Sequence, residues 1–390
     1  MKVQKQIPLI FLFLFSCILL ALRVSAQNSI TGKVLNEQNE QPLVGASVYI
    51  NNSTIGTTTN EAGEFKISSL SNGYYEIVVS YVGFEILVYR ITIQSRNMSL
   101  LFKLEPKPTE MRKVVVLSRD TRAKWLKVMR ENFLGITEAA RKTKIMNEDD
   151  ILFEEGSGKN QVKAFSAAPL EVVNKELGYR IYFELVGFYY NAEEGRTYFY
   201  GYSRFEELNE KGKTPNRYIR NRERYYKGST LHFFHSLIDN RVKEEGFMLL
   251  NVQSMANAAS GKNVLIDSSS RSPSIKVSGG RSIGVGMATT RDNIFRKDSV
   301  DGNEVYVLDW KETLRVSYGK DPFVKRHLTK TILMQGSLPV GVYSNVDMLE
   351  RPVYMDSNGT LYNPLALQMR GYWAYEKLAN MLPMNYRPGD

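Results

Sequence analysis

The chain has 390 residues, 43% of them hydrophobic, and a formal net charge of +10 from 51 Lys and Arg against 41 Asp and Glu. Its single cysteine, Cys17, excludes internal disulfides and any cysteine-based metal or nucleophile site elsewhere. The basic excess suits anionic glycans, lipid head groups or envelope polymers as well as plain solubility. No recognition motif accompanies it, so nucleic acid is not expected as a partner.

Residues 1–26 read as a secretory signal peptide. Lys2 and Lys5 make the charged start, Ile7 to Leu22 the apolar run, and Val24-Ser25-Ala26 a small-x-small site before Gln27. A transmembrane anchor competes, because an apolar run of about sixteen residues is at the short end for spanning. A lipid anchor would use Cys17. Cleavage would remove Lys2, Lys5 and Arg23 and leave +7 of the charge. The expected location is exported: periplasm, outer-membrane-associated or secreted, with peripheral membrane association open.

Residues 27–105 alternate short β-branched and aromatic runs with turn chemistry about every ten residues, the pattern of a β-sandwich. Pro42-Leu43 and Gly45 open one strand, and Asn60 to Gly63 turns the chain before Glu64-Phe65-Lys66-Ile67. Asn72-Gly73 predicts a tight hairpin before the strand Tyr74 to Tyr81. Val48, Ile50, Ile77, Val79 and Tyr81 alternate toward a core.

This stretch resembles the carboxypeptidase-regulatory-like domain. The resemblance rests on Gly32-Lys33-Val34, Pro42 to Val48, Gly56 to Asn60, Gly63-Glu64-Phe65 and Val79 to Phe84. It implies a seven-stranded, transthyretin-like sandwich. Such modules accompany metallocarboxypeptidases or precede the plug of outer-membrane nutrient receptors, and are not themselves the enzyme.

Residues 106–118, with Pro106 and Pro108, predict an extended linker. The Val114-Val115-Val116 run resembles one that follows the module in TonB-dependent receptors, although too little chain remains for their barrel. Residues 119–390 predict an α+β domain with a mostly antiparallel sheet. Within it, helices are expected over Arg119–Phe133, Ser229–Glu245 and Gly371–Leu382. A β-rich stretch is expected over 150–208, with Thr197–Tyr202 as hairpin partner of Leu177–Leu185. Strands are expected over Val305–Tyr318, Lys330–Leu333 and Val340–Leu349. The Ser, Gly, Asn and Arg content of residues 257–301 predicts a mobile loop. Ala164–Leu170, Asn174–Tyr179, Tyr226–Ser229, His232–Phe234 and Gly371–Trp373 resemble segments of uncharacterised exported proteins that carry the same module.

Chemical signatures are sparse. A zinc carboxypeptidase needs a His-x-x-Glu pair with a distant His, but Ile238 stands three residues after His235. The metal candidates are therefore His232 and His235, one helical turn apart, with His327 or Asp239. An ordinary helix with Phe233 and Phe234 packed inward is the bland alternative. Ser317 to Lys320 matches Ser-x-x-Lys without its companion motifs. Gly279 to Gly286 lacks the lysine of a phosphate loop. Asp356 to Gly359 reads as a turn. The carboxylate pairs Glu154-Glu155, Glu193-Glu194, Glu206-Glu207 and Glu244-Glu245 read as solvated.

Tyrosine interleaved with arginine can build a glycan or peptide surface. The candidates for partner binding are Arg217, Tyr218, Arg220, Arg222, Tyr225 and Tyr226. No cofactor is expected. The leading expectation is a non-catalytic exported protein that binds an envelope protein or glycan. An envelope peptidase or glycosidase with a cryptic site, or an accessory to a TonB-dependent receptor, stays open beside it.

Overall fold

The computed structural model describes residues 28–94, 97–107, 117–156, 158, 160–166, 168–193, 196–210, 212–254, 284–300, 303–320 and 343–389. The valine run at 114–116, His327 and the strand expected at 330–333 lie outside them.

Seven strands come first: β1 (Asn28–Asn36), β2 (Ser47–Ile50), β3 (Gly56–Thr58), β4 (Glu64–Leu70), β5 (Gly73–Ser80), β6 (Leu87–Ile93) and β7 (Met98–Leu104). They form two sheets, β4-β1-β7 and β3-β2-β5-β6. All pairings are antiparallel except that of β1 with β7. Period-two alternation sends Ile30, Val34, Phe65, Ile67, Val48, Ile50, Ile77 and Val79 into one core between the sheets. Asn72-Gly73 differs from the expected hairpin, because β4 and β5 belong to different sheets. The chain crosses between layers there, with Ser69 at φ +66° and Gly73 at +158°. Residues 105–107 remain tied to the sandwich: the Lys107 amide donates to the Gly83 carbonyl at 2.8 Å.

The second region begins with α1 (Arg119–Met129), capped by Ser118, whose hydroxyl accepts from the Thr121 amide at 3.2 Å. A π-helical turn, Arg130–Leu134, extends it, and Gly135 ends it at φ +99°. After α2 (Glu138–Arg141) come β8 (Thr143–Ile145), β9 (Ile151–Glu155), β10 (Gln161–Ser166), β11 (Leu170–Asn174), β12 (Tyr179–Asn191) and β13 (Arg196–Glu207). Their sheet is ordered β8-β11-β12-β10-β9, and β13 pairs with β12 along its length as the expected hairpin. Trp125, Met129 and Phe133 from α1 and its extension pack on Ile181, Phe183 and Leu185 of β12.

Two helices follow, α3 (Asn216–Tyr226) and α4 (Thr230–Ile238). Then come β14 (Phe247–Ser254), β15 (Gly284–Ala288), β16 (Phe295–Val300), β17 (Asn303–Leu308), β18 (Thr313–Tyr318), β19 (Tyr343–Met348), β20 (Val353–Met355), β21 (Leu367–Gly371) and α5 (Tyr372–Tyr375). They form the sheets β15-β14-β18-β19-β21 and β16-β17-β20, all antiparallel. Residues 119–390 thus hold two hydrophobic cores, one under the β12 sheet and one joining α4 to these last sheets.

Three expectations are corrected. Residues 284–300, placed in a loop on composition, form β15 and β16, because pairing with β14 and β17 overrides weak local propensity. The helix expected over 229–245 stops at Ile238, where Asp239 caps it and Asn240 turns left-handed at φ +56°. The closing helix is only α5 and a 3-10 turn at Leu378–Asn380.

The sandwich is fastened to the second region through backbone. Its turn between β2 and β3 lies beside β13: the Asn52 amide donates to the Ser203 carbonyl at 2.7 Å, and the Phe205 amide to the Ser53 carbonyl at 2.9 Å. Those bonds cover part of an edge strand that would otherwise present unpaired groups. Tyr49 and Val78, on the outward side of the module's larger sheet, are accordingly buried.

Candidate functional site

Helix α4 positions the residues of interest. Ser229 caps it by accepting from the His232 amide at 3.1 Å. Helical spacing then puts His232, His235, Ser236 and Asp239 on one side, where they line an open polar cleft of about 540 Å³. Tyr226 and Lys227 from the end of α3 face them, with Arg241 and Glu245 beyond α4, Tyr318 and Lys320 at the end of β18, and Arg387 in the C-terminal segment.

The two imidazoles are held differently. His232 Nδ1 accepts from the Gly228 amide at 3.0 Å, so its neutral ring carries the proton on Nε2, 3.3 Å from Glu245 Oε2. Burial lowers its pKa, with Glu245 opposing and Lys227 and Lys320 assisting. His235 Nδ1 lies 2.9 Å from the Tyr226 hydroxyl, while its Nε2 is buried without a hydrogen-bond partner. Burial, and then the Arg387 charge, pull its pKa down to about 3, against a small opposing effect of the Asn358 backbone. Tyr226 moves the other way: burial pushes its hydroxyl up to about 12, with Arg387 opposing. Both rings are therefore neutral at pH 7.

A metal does not suit this donor set. Each ring commits Nδ1 to a hydrogen bond within the protein, and the Nε2 atoms face different surroundings. Among the described residues, no three His, Asp or Glu side chains converge as ligands. Lys227, Lys320 and Arg387 would also repel a cation.

The Arg217–Tyr226 stretch proves to be α3, and four of the six partner-binding candidates lie on its buried face rather than on an exposed surface, with Tyr226 bordering the α4 cleft. Tyr218, Arg222, Tyr225 and Tyr226 are buried. They recur at i, i+4, i+7 and i+8, the inward face of a helix. Arg222 belongs inside because its guanidinium donates to the Leu177 and Gly178 carbonyls at 2.8 and 3.0 Å and to Glu207 at 2.7 Å, and lies 3.9 Å from the Tyr179 ring centre. Gly178, at φ +71°, makes room: a Cβ there would sit 2.2 Å from the Tyr218 ring. Arg217 and Arg220 alone of the six are exposed. Exposed tyrosines lie instead on β13, at Tyr198 and Tyr200, and elsewhere at Tyr89 and Tyr354.

The other side of α4 faces a second cavity, of about 360 Å³, between the sandwich and the second region. Tyr74, Tyr75 and Asn52 of the module meet Thr230, Phe234, Leu361, Trp373, Glu376 and Met384 across it. Trp373 Nε1 donates to the Gly228 carbonyl at 2.9 Å, so this one residue is bonded through its carbonyl to Trp373 and through its amide to His232. Glu376, Lys320, Arg241 and Arg387 had no signal in the sequence, since only the tertiary fold gathers them.

Residues 30–116 match the model of the CarboxypepD_reg-like domain, and the first seven strands are that domain. No curated protein matches the chain. The chain spans 52% of a cohesin–X-dockerin complex chain from Acetivibrio cellulolyticus, which covers 19% of this one at 16% identity and a TM-score of 0.18. A DUF3823 family protein from Bacteroides ovatus is 12% identical over 47% of this chain and 82% of its own, with a TM-score of 0.18. A protein described as carbohydrate-binding, from Bacteroides uniformis, is 7% identical over 75% of this chain and 88% of its own, with a TM-score of 0.17. Among the described residues, no helix is long and apolar enough to cross a membrane.

Proposed function

We propose that this is an exported, non-catalytic binding protein of the cell envelope that holds an anionic glycan in the polar cleft on α4. The carrying observation is the charge around that cleft. Lys227, Arg241, Lys320 and Arg387 line it with Asp239 and Glu245. Arg387 pairs with Asp239, Arg241 with Glu244 and Glu245, and Lys227 with Glu223, while Lys320 has no carboxylate within salt-bridge distance among the described residues. The histidines add no charge at pH 7. Lys320, with no carboxylate partner there, would raise the local concentration of an anion, and Tyr226 and Tyr318 border it.

Titration calorimetry with an oligogalacturonate and a neutral malto-oligosaccharide tests this. The anionic sugar should bind, and salt should weaken it. Lys320→Ala with Arg387→Ala should cost about tenfold or more, from roughly 1 kcal/mol per removed contact. Equal binding of the neutral sugar, or an unaffected double variant, would overturn the reading.

A hydrolase is the second reading, because His232 Nε2 and Glu245 Oε2 sit 3.3 Å apart inside the cleft, as an acid–base pair could. Shortened oligosaccharide in the same incubations, lost in His232→Gln, would replace binding by turnover.

A further inference from the structure

The cavity on the other side of α4 contains a group that the anion site does not explain. Glu376 lines it and keeps part of its surface there. Its Oε2 has only long contacts, 3.4 Å each, from the Thr230 amide and hydroxyl, and the Tyr372 hydroxyl shares a hydrogen bond with the carboxylate. Among the described residues, no cation comes within salt-bridge distance of it. The module's Glu76 lines the same cavity but is neutralised by Arg90 at 2.9 Å and accepts from Asn51 at 3.0 Å. Much of the remaining wall is carbon: Tyr74, Phe234, Leu361, Met369, Trp373 and Met384.

A carboxylate withdrawn from water needs a positive partner or a proton. Here the described residues supply no cation, and the carboxylate is on the wall of a space at the small end of ligand-binding cavities. We infer that this interdomain cavity binds a primary ammonium group carried on a short apolar body, with Glu376 as its counter-ion. The apolar body would fill the space between Tyr74 and Trp373. The ammonium could come from a free alkylamine or from the N-terminus of a peptide that begins with an apolar residue. Both present the same chemistry to Glu376.

Empty, the cavity leaves Glu376 protonated at neutral pH, because burial pushes its carboxyl up to about 8. Binding of an ammonium would therefore release that proton. Below about pH 8 the affinity should rise roughly tenfold per pH unit, provided the ligand keeps its own charge. An alkylamine does so well past pH 9, as a lysine side chain does.

Calorimetry on the full chain with n-pentylamine, leucinamide and N-acetyl-leucinamide tests the inference. n-Pentylamine should bind, the acetylated compound should not, and n-pentylamine affinity should climb between pH 6 and pH 8 as described. Leucinamide binding much tighter than n-pentylamine would identify a peptide N-terminus as the natural source, and the reverse a free amine. Glu376→Gln should weaken n-pentylamine at least tenfold, as loss of a charged hydrogen bond does. Leu361→Trp adds bulk to the cavity wall while leaving Glu376 in place and should abolish binding even if the Gln variant folds poorly. Equal binding of the acetylated compound, a flat pH series, or an unaffected Leu361→Trp would overturn it. Glu376 would then be a protonated structural acid. Oligogalacturonate binding in the α4 cleft is measured separately, so either site can fail alone.

Discussion

The two sides of α4 carry the same physics with opposite sign. On one, burial strips the charge from a base, His235; on the other, burial strips it from an acid, Glu376. Both groups are neutral near pH 6, but they reached neutrality from opposite directions. The surroundings decide what each side can do next. Around His235 the open cleft is ringed by cations, which oppose protonation and favour an incoming anion. Around Glu376 much of the wall is apolar and no cation is at hand among the described residues, which favours an incoming ammonium. One short helix thus separates two environments that would select ligands of opposite charge.

The strongest way to break this contrast is to remove the side chain between the two sides. Trp373 is 5% exposed, packs 5.3 Å from Phe233 between ring centres, and donates to the Gly228 carbonyl. Trp373→Ala should cost about 3–5 kcal/mol in urea unfolding, the range for an aromatic truncated in a core. A loss below about 1 kcal/mol would mean that the two sides do not share a packed wall.

Next in size is the pH dependence. Glu376 has a folded pKa of about 8, above the usual 4.5, so it keeps a proton that the unfolded chain has lost. Its stabilising contribution is complete below pH 4.5 and disappears as pH rises through 8. His235 has a folded pKa of about 3, below the usual 6.5, so its contribution is complete above pH 6.5 and disappears as pH falls through 3. Each window amounts to about 5 kcal/mol at most, before residual solvent screens it down. Asp356, pushed up to about 6 by burial, adds to the alkaline loss over the lower part of that range. Melting measured from pH 4 to pH 9 should show Glu376→Gln flattening the alkaline limb and His235→Gln the acid limb. If the two variants shifted the same limb, the opposition would be wrong.

The smallest effect sharpens the polar side. Glu245 is 29% exposed at its side chain and pairs with Arg241 at 3.0 Å as well as His232. Glu245→Gln should change stability by less than about 1 kcal/mol, because the cleft is wet. A larger loss would mark the pair as buried structure rather than an open site.

Legibility in the sequence followed the range of the interactions. The sandwich was readable because Val48, Ile50, Ile77 and Val79 are placed by alternation alone. The β12–β13 hairpin was readable for the same reason. Helix α3 was not: its inward stripe contains Arg222, a charge tolerated only because the carbonyls of Leu177 and Gly178 receive it from far along the chain. His232 and His235 could be singled out, but not what faces them. Lys320, Glu376 and Arg387 reach the two sides of α4 from loops and the C-terminal segment, which carry no periodicity to read.

The turn at Asn52 and Ser53 means that the sandwich is not an interchangeable bead on a string. It lends its own main chain to the neighbouring sheet, and Asn52 must hold a left-handed backbone, φ +54°, to do so. Residues 119–389 expressed alone would bare the flank of β13 at Ser203 to Phe205, beside the already exposed Tyr198 and Tyr200, and would be prone to stick to one another by that flank. Grafting on a different sandwich would restore the partnership only if its corresponding bend had the same shape.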